Sequence, residues 1–139
     1  RSSVAKTKHQ LGMIAEISGD YPQAKRLYQE SLTIDEELGD KSGIAISKHQ
    51  LARIAELTGD YLQAKRLYQE TLAIAEELGD KSGIAISKHQ LGGLAEASGD
   101  LAAAEQLYEQ ALAIFQELGA PEAATARASL DRIKKQRRR

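Results

Sequence analysis

The stretch KHQLGMIAEISGDYPQAKRLYQESLTIDEELGDKSGIAIS, residues 8–47, is followed at once by a second copy, residues 48–87. The two copies differ at only eight of forty positions, and a third copy begins at Lys88 and diverges after Gly119. A fixed period of this length is typical of a solenoid, in which each unit buries its apolar face only against its neighbours. We therefore expect three repeats, at about 1–40, 41–80 and 81–119.

The residues of each copy predict two helices. Apolar residues recur at helical spacing. A Gly-Asp pair follows each of the first five helices, as at Gly19-Asp20, and Gly119 follows the sixth. The glycine favours a left-handed stop, and the aspartate carboxylate is a good cap for the next helix. Gaps this short make successive helices antiparallel neighbours. The predicted helices lie at about 3–18, between Asp20 and Gly39, and at about 41–58, 61–78, 81–98 and 101–118.

The apolar positions predict which helix faces pack together. Small residues at matching places allow the two helices of a repeat to approach closely, at Gly12, Ala52 and Gly92 on the first helices and Ala24, Ala64 and Ala104 on the second. In the first copy, we expect the apolar face of the first helix to be Val4, Leu11, Ile14, Ala15 and Ile17. The inward side of the second helix is expected to be Ala24, Leu27, Tyr28, Ser31, Leu32, Ile34 and Leu38.

The end of the chain departs from the repeat. Pro121 opens a predicted last helix, 121–137, with a narrow apolar stripe of Ala123, Ala126, Leu130 and Ile133. Its other faces are polar, which is typical of the unit that covers the exposed side of a last repeat. The first helix has no such polar cover before it, so an uncovered N-terminal face is expected, and with it possible homo-oligomers.

Composition and charge exclude several classes of function. The chain has no cysteine, which excludes disulfides and thiolate chemistry. No apolar run approaches the roughly 18 residues of a membrane span, so we expect a cytoplasmic protein without a membrane partner. The net charge of −1 combines a mildly acidic body with a basic end after Arg127. Because the chain begins with Arg1 rather than Met, we expect it to be a processed or excised piece of something longer.

The repeated residues also resemble the tetratricopeptide repeat (TPR). That family's pattern is a Leu-Gly pair, a small residue, a Gly-Asp-Tyr turn, an alanine, an aromatic residue and a second small residue. The first copy has Leu11-Gly12, Ala15, Gly19-Asp20-Tyr21, Ala24, Tyr28 and Ser31. The second has Leu51-Ala52, Ala55, Gly59-Asp60-Tyr61, Ala64, Tyr68 and Thr71, and the third has Leu91-Gly92, Ala95, Gly99-Asp100-Leu101, Ala104, Tyr108 and Ala111.

Three features depart from the usual TPR pattern. The period is 40 residues instead of about 34, which is similar to the repeats of Pins-type polarity adaptors and of prokaryotic signal-transduction NTPases and regulators. Lys8, Lys48 and Lys88 stand where a large aromatic residue is usual, so we expect their ammonium groups to snorkel outward. The chain has no asparagine, which argues against the Lys and Asn clamp of chaperone-binding TPRs.

The resemblance implies an all-α, right-handed superhelical solenoid of three TPR hairpins and a C-terminal capping helix, forming a single domain over 1–139. It also implies that the first helices line a concave groove, which binds a peptide or a helical segment of a protein partner. The groove residues would be Lys6, His9, Gln10, Met13 and Glu16 in the first copy, with Ile46, His49, Gln50, Arg53 and Glu56 in the second and His89, Gln90 and Glu96 in the third.

The sequence also argues against a metal site, catalysis and nucleic-acid binding. The three histidines stand one repeat apart on helices separated by roughly 8–10 Å, whereas zinc needs ligands at about 2 Å, so neither a metal nor another cofactor is expected. No phosphate loop, nucleophile elbow or paired acid and base is present, so we predict that the chain is not an enzyme. The tail Lys134-Lys135-Gln136-Arg137-Arg138-Arg139 has no aromatic residue to stack on bases, and nucleic-acid binding is not the favoured interpretation.

Alternatives to the scaffold hypothesis come from other classes of function. The array could be the sensor or autoinhibitory arm of a larger NTPase or transcriptional regulator. Near-identical repeats with an uncovered first helix also fit a self-associating protein, or a designed one.

Overall fold

The computed structural model describes residues 2–139, and its regular secondary structure in that range is entirely α-helical. Each helix begins and ends within about one residue of its predicted position. No helix in the described range is both long enough and apolar enough to cross a membrane. The helices are α1 (Ser3–Ile17), α2 (Tyr21–Leu38), α3 (Lys41–Leu57), α4 (Tyr61–Leu78), α5 (Lys81–Ala97), α6 (Leu101–Leu118) and α7 (Glu122–Arg137).

Local sequence signals set the helix ends as predicted. The Asp20 carboxylate accepts a hydrogen bond from the backbone N–H of Gln23 at 3.2 Å, and Asp100 caps α6 in the same way. Such caps satisfy donors that the first turn of a helix leaves unpaired. Gly39 ends α2 with φ of 67°, a left-handed conformation that glycine adopts without strain. These signals act within a few residues, which is why the sequence alone locates them.

The chain forms two compact units, one up to Ile74 and the other Ala75–Arg139, with the boundary inside α4. In the first unit, α1 packs against α2 and α2 packs against α3. In the second unit, α5 packs against α6 and α6 packs against α7. The order of packing therefore follows the order of the chain, as a solenoid requires.

Close contact between α1 and α2 depends on small residues against Tyr28. The Tyr28 side chain is fully buried, and a Cβ added at Gly12 would lie 2.7 Å from the ring carbon Cε1. Ala24 of α2 is also fully buried. In the second unit, Gly92 makes the same approach to Tyr108. The predicted role of these small residues is confirmed.

Of the five apolar residues predicted to share one face of α1, only Ala15 is buried. Ala15 is buried together with Ala5 and Gly12, whereas the larger residues point to solvent because no described helix lies on that side of α1. The exposed fractions are 57% for Val4, 47% for Leu11, 62% for Ile14 and 85% for Ile17.

The inward side of α2 differs from the prediction at two positions. Leu38 lies in the last turn and is 60% exposed. Asp35 is fully buried instead, and its Oδ2 accepts a hydrogen bond from the Ser47 hydroxyl at 3.4 Å. A Cβ on Gly43 of α3 would lie 2.7 Å from the Asp35 carboxylate, so the glycine makes room for this polar side chain.

The second unit has an apolar core between α6 and α7. Tyr108, Leu112 and Phe115 of α6 pack in one buried cluster with Ala126, Leu130 and Ile133 of α7. Ala123 is partly buried against the same cluster. The predicted stripe on the last helix is therefore confirmed.

Candidate functional site

The predicted groove residues fall into two sets, one in each compact unit. We call them together the first-helix face. In the first unit the face consists of residues of α1 and α3, namely Lys6, His9, Gln10, Met13, Glu16, Ile46, His49, Gln50, Arg53 and Glu56. In the second unit it consists of residues of α5, namely His89, Gln90 and Glu96.

Exposure varies along this face. Met13 and Ile46 are each 43% exposed, which makes them apolar side chains available to a ligand. Lys6 and Gln10 are also exposed, while the histidines and glutamates of the face are partly buried. The face therefore combines accessible apolar and polar groups with side chains that the fold holds in place.

An ion pair joins α1 to α3 on the face of the first unit. An Arg53 guanidinium nitrogen lies 2.9 Å from Oε2 of Glu16, and another donates to the side-chain oxygen of Gln50, also at 2.9 Å. The Glu16 side chain is only 13% exposed. Its other oxygen, Oε1, accepts a hydrogen bond from the Tyr28 hydroxyl, with 2.9 Å between the two oxygens. Three predicted site residues are thus brought together and fixed by a tyrosine from the second helix.

The pairing of a tyrosine with a glutamate recurs in each copy. The Tyr68 hydroxyl donates to Glu56 at 3.0 Å, and the Tyr108 hydroxyl donates to Glu96 at 2.8 Å. Burial raises the pKa of each tyrosine well above its ordinary value, and the carboxylate it faces raises it further. These hydroxyls therefore stay protonated and act as fixed donors at neutral pH.

The histidines of the face pack against the same tyrosines. Ring centroids lie 5.6 Å apart for His49 with Tyr68 and 5.1 Å apart for His89 with Tyr108. Nε2 of His89 lies 3.3 Å from the hydroxyl of Ser129 on α7. Burial lowers the pKa of His49 and of His89, with a smaller contribution from a nearby arginine. His89 is thus a half-buried polar residue that hydrogen-bonds to a neighbouring helix.

A second carboxylate–guanidinium pair lies on the face of the second unit. Nε of Arg132 donates to Glu96 at 2.8 Å, and a terminal nitrogen donates to the other carboxylate oxygen at 2.7 Å. This bidentate contact lowers the pKa of Glu96 and raises that of Arg132. The arginine comes from α7, outside the residues predicted for the site.

The lysines at the first-helix aromatic position behave differently from the prediction of outward snorkelling. The Lys8 ammonium lies 3.3 Å from the carboxylate of Glu30 on α2, and Lys48 makes the matching contact with Glu70 at 2.9 Å. In the third copy, Lys88 donates to the Gln110 side chain at 3.0 Å. These ammonium groups therefore bind the second helix of their own repeat at the edge of the packed surface.

The basic end of α7 is partly used within the fold. Arg137 pairs with Glu105 of α6 at 2.9 Å. Lys134 and Arg138 line an open surface cleft beside them. Among residues 2–139, no group of three or more potential ligands is arranged to hold a metal ion.

A family model described as "Tetratricopeptide repeat" matches residues 3–77 and, in a second overlapping match, residues 43–117. Together these matches cover most of the chain. The chain belongs to the tetratricopeptide repeat family. No curated protein matches it.

Several solved TPR-like structures share the fold. BtubC from P. vanneervenii is 24% identical with a TM-score of 0.86, over 94% of this chain and 55% of that one. A putative kinesin light chain with TPR-like repeats from Podosopora anserina is 23% identical with a TM-score of 0.78, over 92% of this chain and 64% of its own. A Rap protein complexed with Competence and Sporulation Factor is 18% identical with a TM-score of 0.84 over 96% of this chain.

This TPR chain spans only part of each of those proteins. It covers 55% of BtubC, 64% of the putative kinesin light chain and 38% of the Rap protein. At these identities the likeness shows the fold.

Sequence reasoning missed three kinds of residue that organise the site. The tyrosines Tyr28, Tyr68 and Tyr108 were identified only as packing aromatics of the TPR pattern, although each stands twelve residues after a glutamate in its copy. Ser129 and Arg132 gave none, because they lie on α7, where the repeat has ended and no register predicts their partners.

Proposed function

We propose that this TPR chain is a protein-interaction scaffold that binds an extended or helical peptide segment of a partner on its first-helix face. The observation that carries the proposal is the arrangement around Arg53. Its guanidinium is fixed by Glu16 and Gln50, while the neighbouring apolar side chains Met13 and Ile46 stay accessible. A surface held in place before binding loses little conformational entropy when a ligand arrives.

The proposal includes the architecture that would present this face. It takes the chain as a single domain, a right-handed superhelix of three TPR hairpins with α7 as the capping helix. In that arrangement the first helices line one concave groove. The packing of helices in chain order within each unit supports this proposal.

One structural neighbour supports a role in binding proteins or peptides. The Rap protein, which has the same fold over nearly the whole of this chain, was solved in complex with Competence and Sporulation Factor. A TPR array can thus serve as the framework of a ligand-binding protein.

Peptide display tests the proposal directly. Short random peptides are selected on the wild-type protein, and the bound peptides are measured again with Met13→Glu and Arg53→Glu. We expect either change to weaken binding at least about tenfold, since Met13→Glu removes an accessible apolar contact and Arg53→Glu places a like charge against Glu16, which disrupts the fixed arrangement. Leu62→Glu is the control, because Leu62 is 80% exposed at the start of α4 and outside the face.

Two results would overturn the proposal. One is that no peptide is enriched on the wild-type protein. The other is that enriched peptides bind both face variants as well as they bind the wild-type protein, which would place binding elsewhere.

Self-association is a second candidate function, and the exposure of α1 favours it. Leu11 and Ile14 are 47% and 62% exposed, whereas their counterparts in the second copy, Leu51 and Ile54, are 7% and 3% exposed. An uncovered apolar helix face is a frequent site of association. Light scattering over a range of concentrations tests this candidate, and a mass that stays that of one chain at every concentration would eliminate it.

The sensor or autoinhibitory arm stays a prediction. A nucleotide-binding domain encoded beside the array in the full-length gene would support it, and a gene that encodes the array alone would contradict it.

A further inference from the structure

The carboxylates of Glu16, Glu56 and Glu96 stand at the same position of successive copies, forty residues apart. Each is partly buried. Each accepts a hydrogen bond from the tyrosine of its own repeat, at 2.9, 3.0 and 2.8 Å. The fold therefore holds three equivalent carboxylates in equivalent places.

Two of these carboxylates also hold an arginine from within the chain. Glu16 binds the Arg53 guanidinium at 2.9 Å, and Glu96 binds Arg132 through two hydrogen bonds of 2.8 and 2.7 Å. Within residues 2–139, Glu56 accepts from Tyr68 and forms no ion pair. Arg53, although one turn before Glu56 on α3, is directed to Glu16 and Gln50.

The repeat pattern explains why Glu56 differs. Glu16 receives its guanidinium from Arg53 of the following copy, and forty residues after Arg53 the third copy has Gly93. The arginine that pairs with Glu16 therefore has no charged counterpart forty residues later. Glu56 itself is unchanged from the other two copies.

The Glu56 carboxylate can accept further hydrogen bonds. Its two oxygens offer about four acceptor sites, and the Tyr68 hydroxyl takes one. Partial burial makes an uncompensated charge unfavourable, so a cation that reaches the carboxylate is stabilised. A guanidinium fits best, because its planar fork matches both carboxylate oxygens at once, as Arg132 does on Glu96.

We propose that Glu56 is the specificity-determining residue of the first-helix face, and that it binds an arginine side chain of the partner segment. This inference rests on the proposed function and deepens it, because it states the chemistry of the ligand. The partner's guanidinium takes the place that Arg53 takes on Glu16. The Tyr68 hydroxyl fixes one carboxylate oxygen and leaves the other for the ligand.

Selected peptides provide the probe. Short random peptides enriched on the wild-type protein are synthesised with each arginine unchanged, replaced by lysine, or replaced by the uncharged isostere citrulline. All are titrated against the wild-type protein, Glu56→Gln and Glu76→Gln. Glu76→Gln is the matched control, since Glu76 is an exposed carboxylate at the end of α4, away from the face.

The expected result is a coupled loss. Citrulline at one position lowers affinity for the wild-type protein at least about tenfold, as is typical when one member of a charge-assisted pair is removed. Replacing the arginine with lysine lowers the affinity by a smaller factor, because the ammonium keeps the positive charge but lacks the planar donor geometry of the guanidinium. Against Glu56→Gln, the arginine and citrulline peptides bind equally, while Glu76→Gln behaves as wild type. The glutamine oxygen still accepts from Tyr68, and a thermal melt checks that the variant is folded.

Different failures have different meanings. Two outcomes would overturn this inference and leave the proposed function standing. In the first, the peptides depend on Met13 and Arg53 but need no arginine of their own. In the second, they bind Glu56→Gln as tightly as they bind the wild-type protein. If no selected peptide depends on any residue of the first-helix face, the proposed function fails and this inference fails with it.

Discussion

The helices α1 and α3 have almost the same sequence from residue 8 and residue 48 onward, and very different surroundings. Leu51 and Ile54 of α3 are buried and line the same cleft as Leu32 of α2. Leu11 and Ile14, the matching residues of α1, lie largely in solvent. The difference teaches that identical repeats are not equivalent energetically, because burial depends on the helix that precedes each one.

The same comparison applies at the start of the two helices. Gly43 opens α3 directly against the buried Asp35 carboxylate, and any side chain there would meet it. Ser3, its counterpart on α1, is exposed. A side chain is therefore excluded at position 43, where α2 approaches, and tolerated at position 3.

The largest expected effect on stability is at Ile54 of α3, which occupies the same repeat position as Ile14 of α1. Ile54→Ala should lower the free energy of unfolding by about 2–5 kcal/mol, since it leaves a cavity between packed helices. Ile14→Ala should change it by about 0.5 kcal/mol or less, as is usual for surface positions. Urea unfolding followed by circular dichroism measures both, and equal losses would show that the face of α1 is covered.

The next largest loss of stability is expected at Gly43. Gly43→Ala should cost about 1–3 kcal/mol, because the new Cβ would lie 2.7 Å from the Asp35 carboxylate. Ser3→Ala should stay within about 0.5 kcal/mol.

A double-mutant cycle tests whether the cost of Gly43→Ala arises from contact with the Asp35 side chain. Asp35→Ala introduces the alanine that the second copy has at Ala75, and in that background Gly43→Ala should cost less. An unchanged cost in both backgrounds would mean that the strain arises elsewhere.

A smaller effect tests the link between the two helices. The Arg53 side chain is 43% exposed, so Arg53→Ala should cost at most about 1 kcal/mol, and less at high salt. Arg26→Ala is the control, because Arg26 pairs with Glu30 inside α2 alone, at 3.5 Å. If the control loses as much stability as Arg53→Ala, the ion pair does not contribute to holding α1 against α3.

The smallest expected change in stability comes from making α1 polar. The pair Leu11→Lys and Ile14→Lys should leave the free energy of unfolding within about 0.5 kcal/mol. Light scattering of the lysine pair also tests self-association. Oligomers that persist in the lysine pair would place the contact on another surface.

The candidate site was predictable only in part. Periodicity and the TPR pattern identified the first-helix residues, including Glu16 and Arg53, because a repeated helix places equivalent positions on one face. Their pairing did not follow from the sequence, since it depends on how far α1 and α3 stand apart. Arg132 was missed for the same reason, as it reaches Glu96 from a helix outside the repeat register.

The sequence by itself determined where each helix begins and ends, because aspartate caps and left-handed glycines act over a few residues. It also determined that the helices within each compact unit pack in chain order, since each forty-residue copy has an apolar side that only a neighbour can bury. Only the tertiary structure decided which copies of an identical residue are buried, why Asp35 lies in the interior, and which carboxylate keeps room for an arginine. Those outcomes depend on the presence and distance of another helix, and a repeating pattern of side chains does not contain that information.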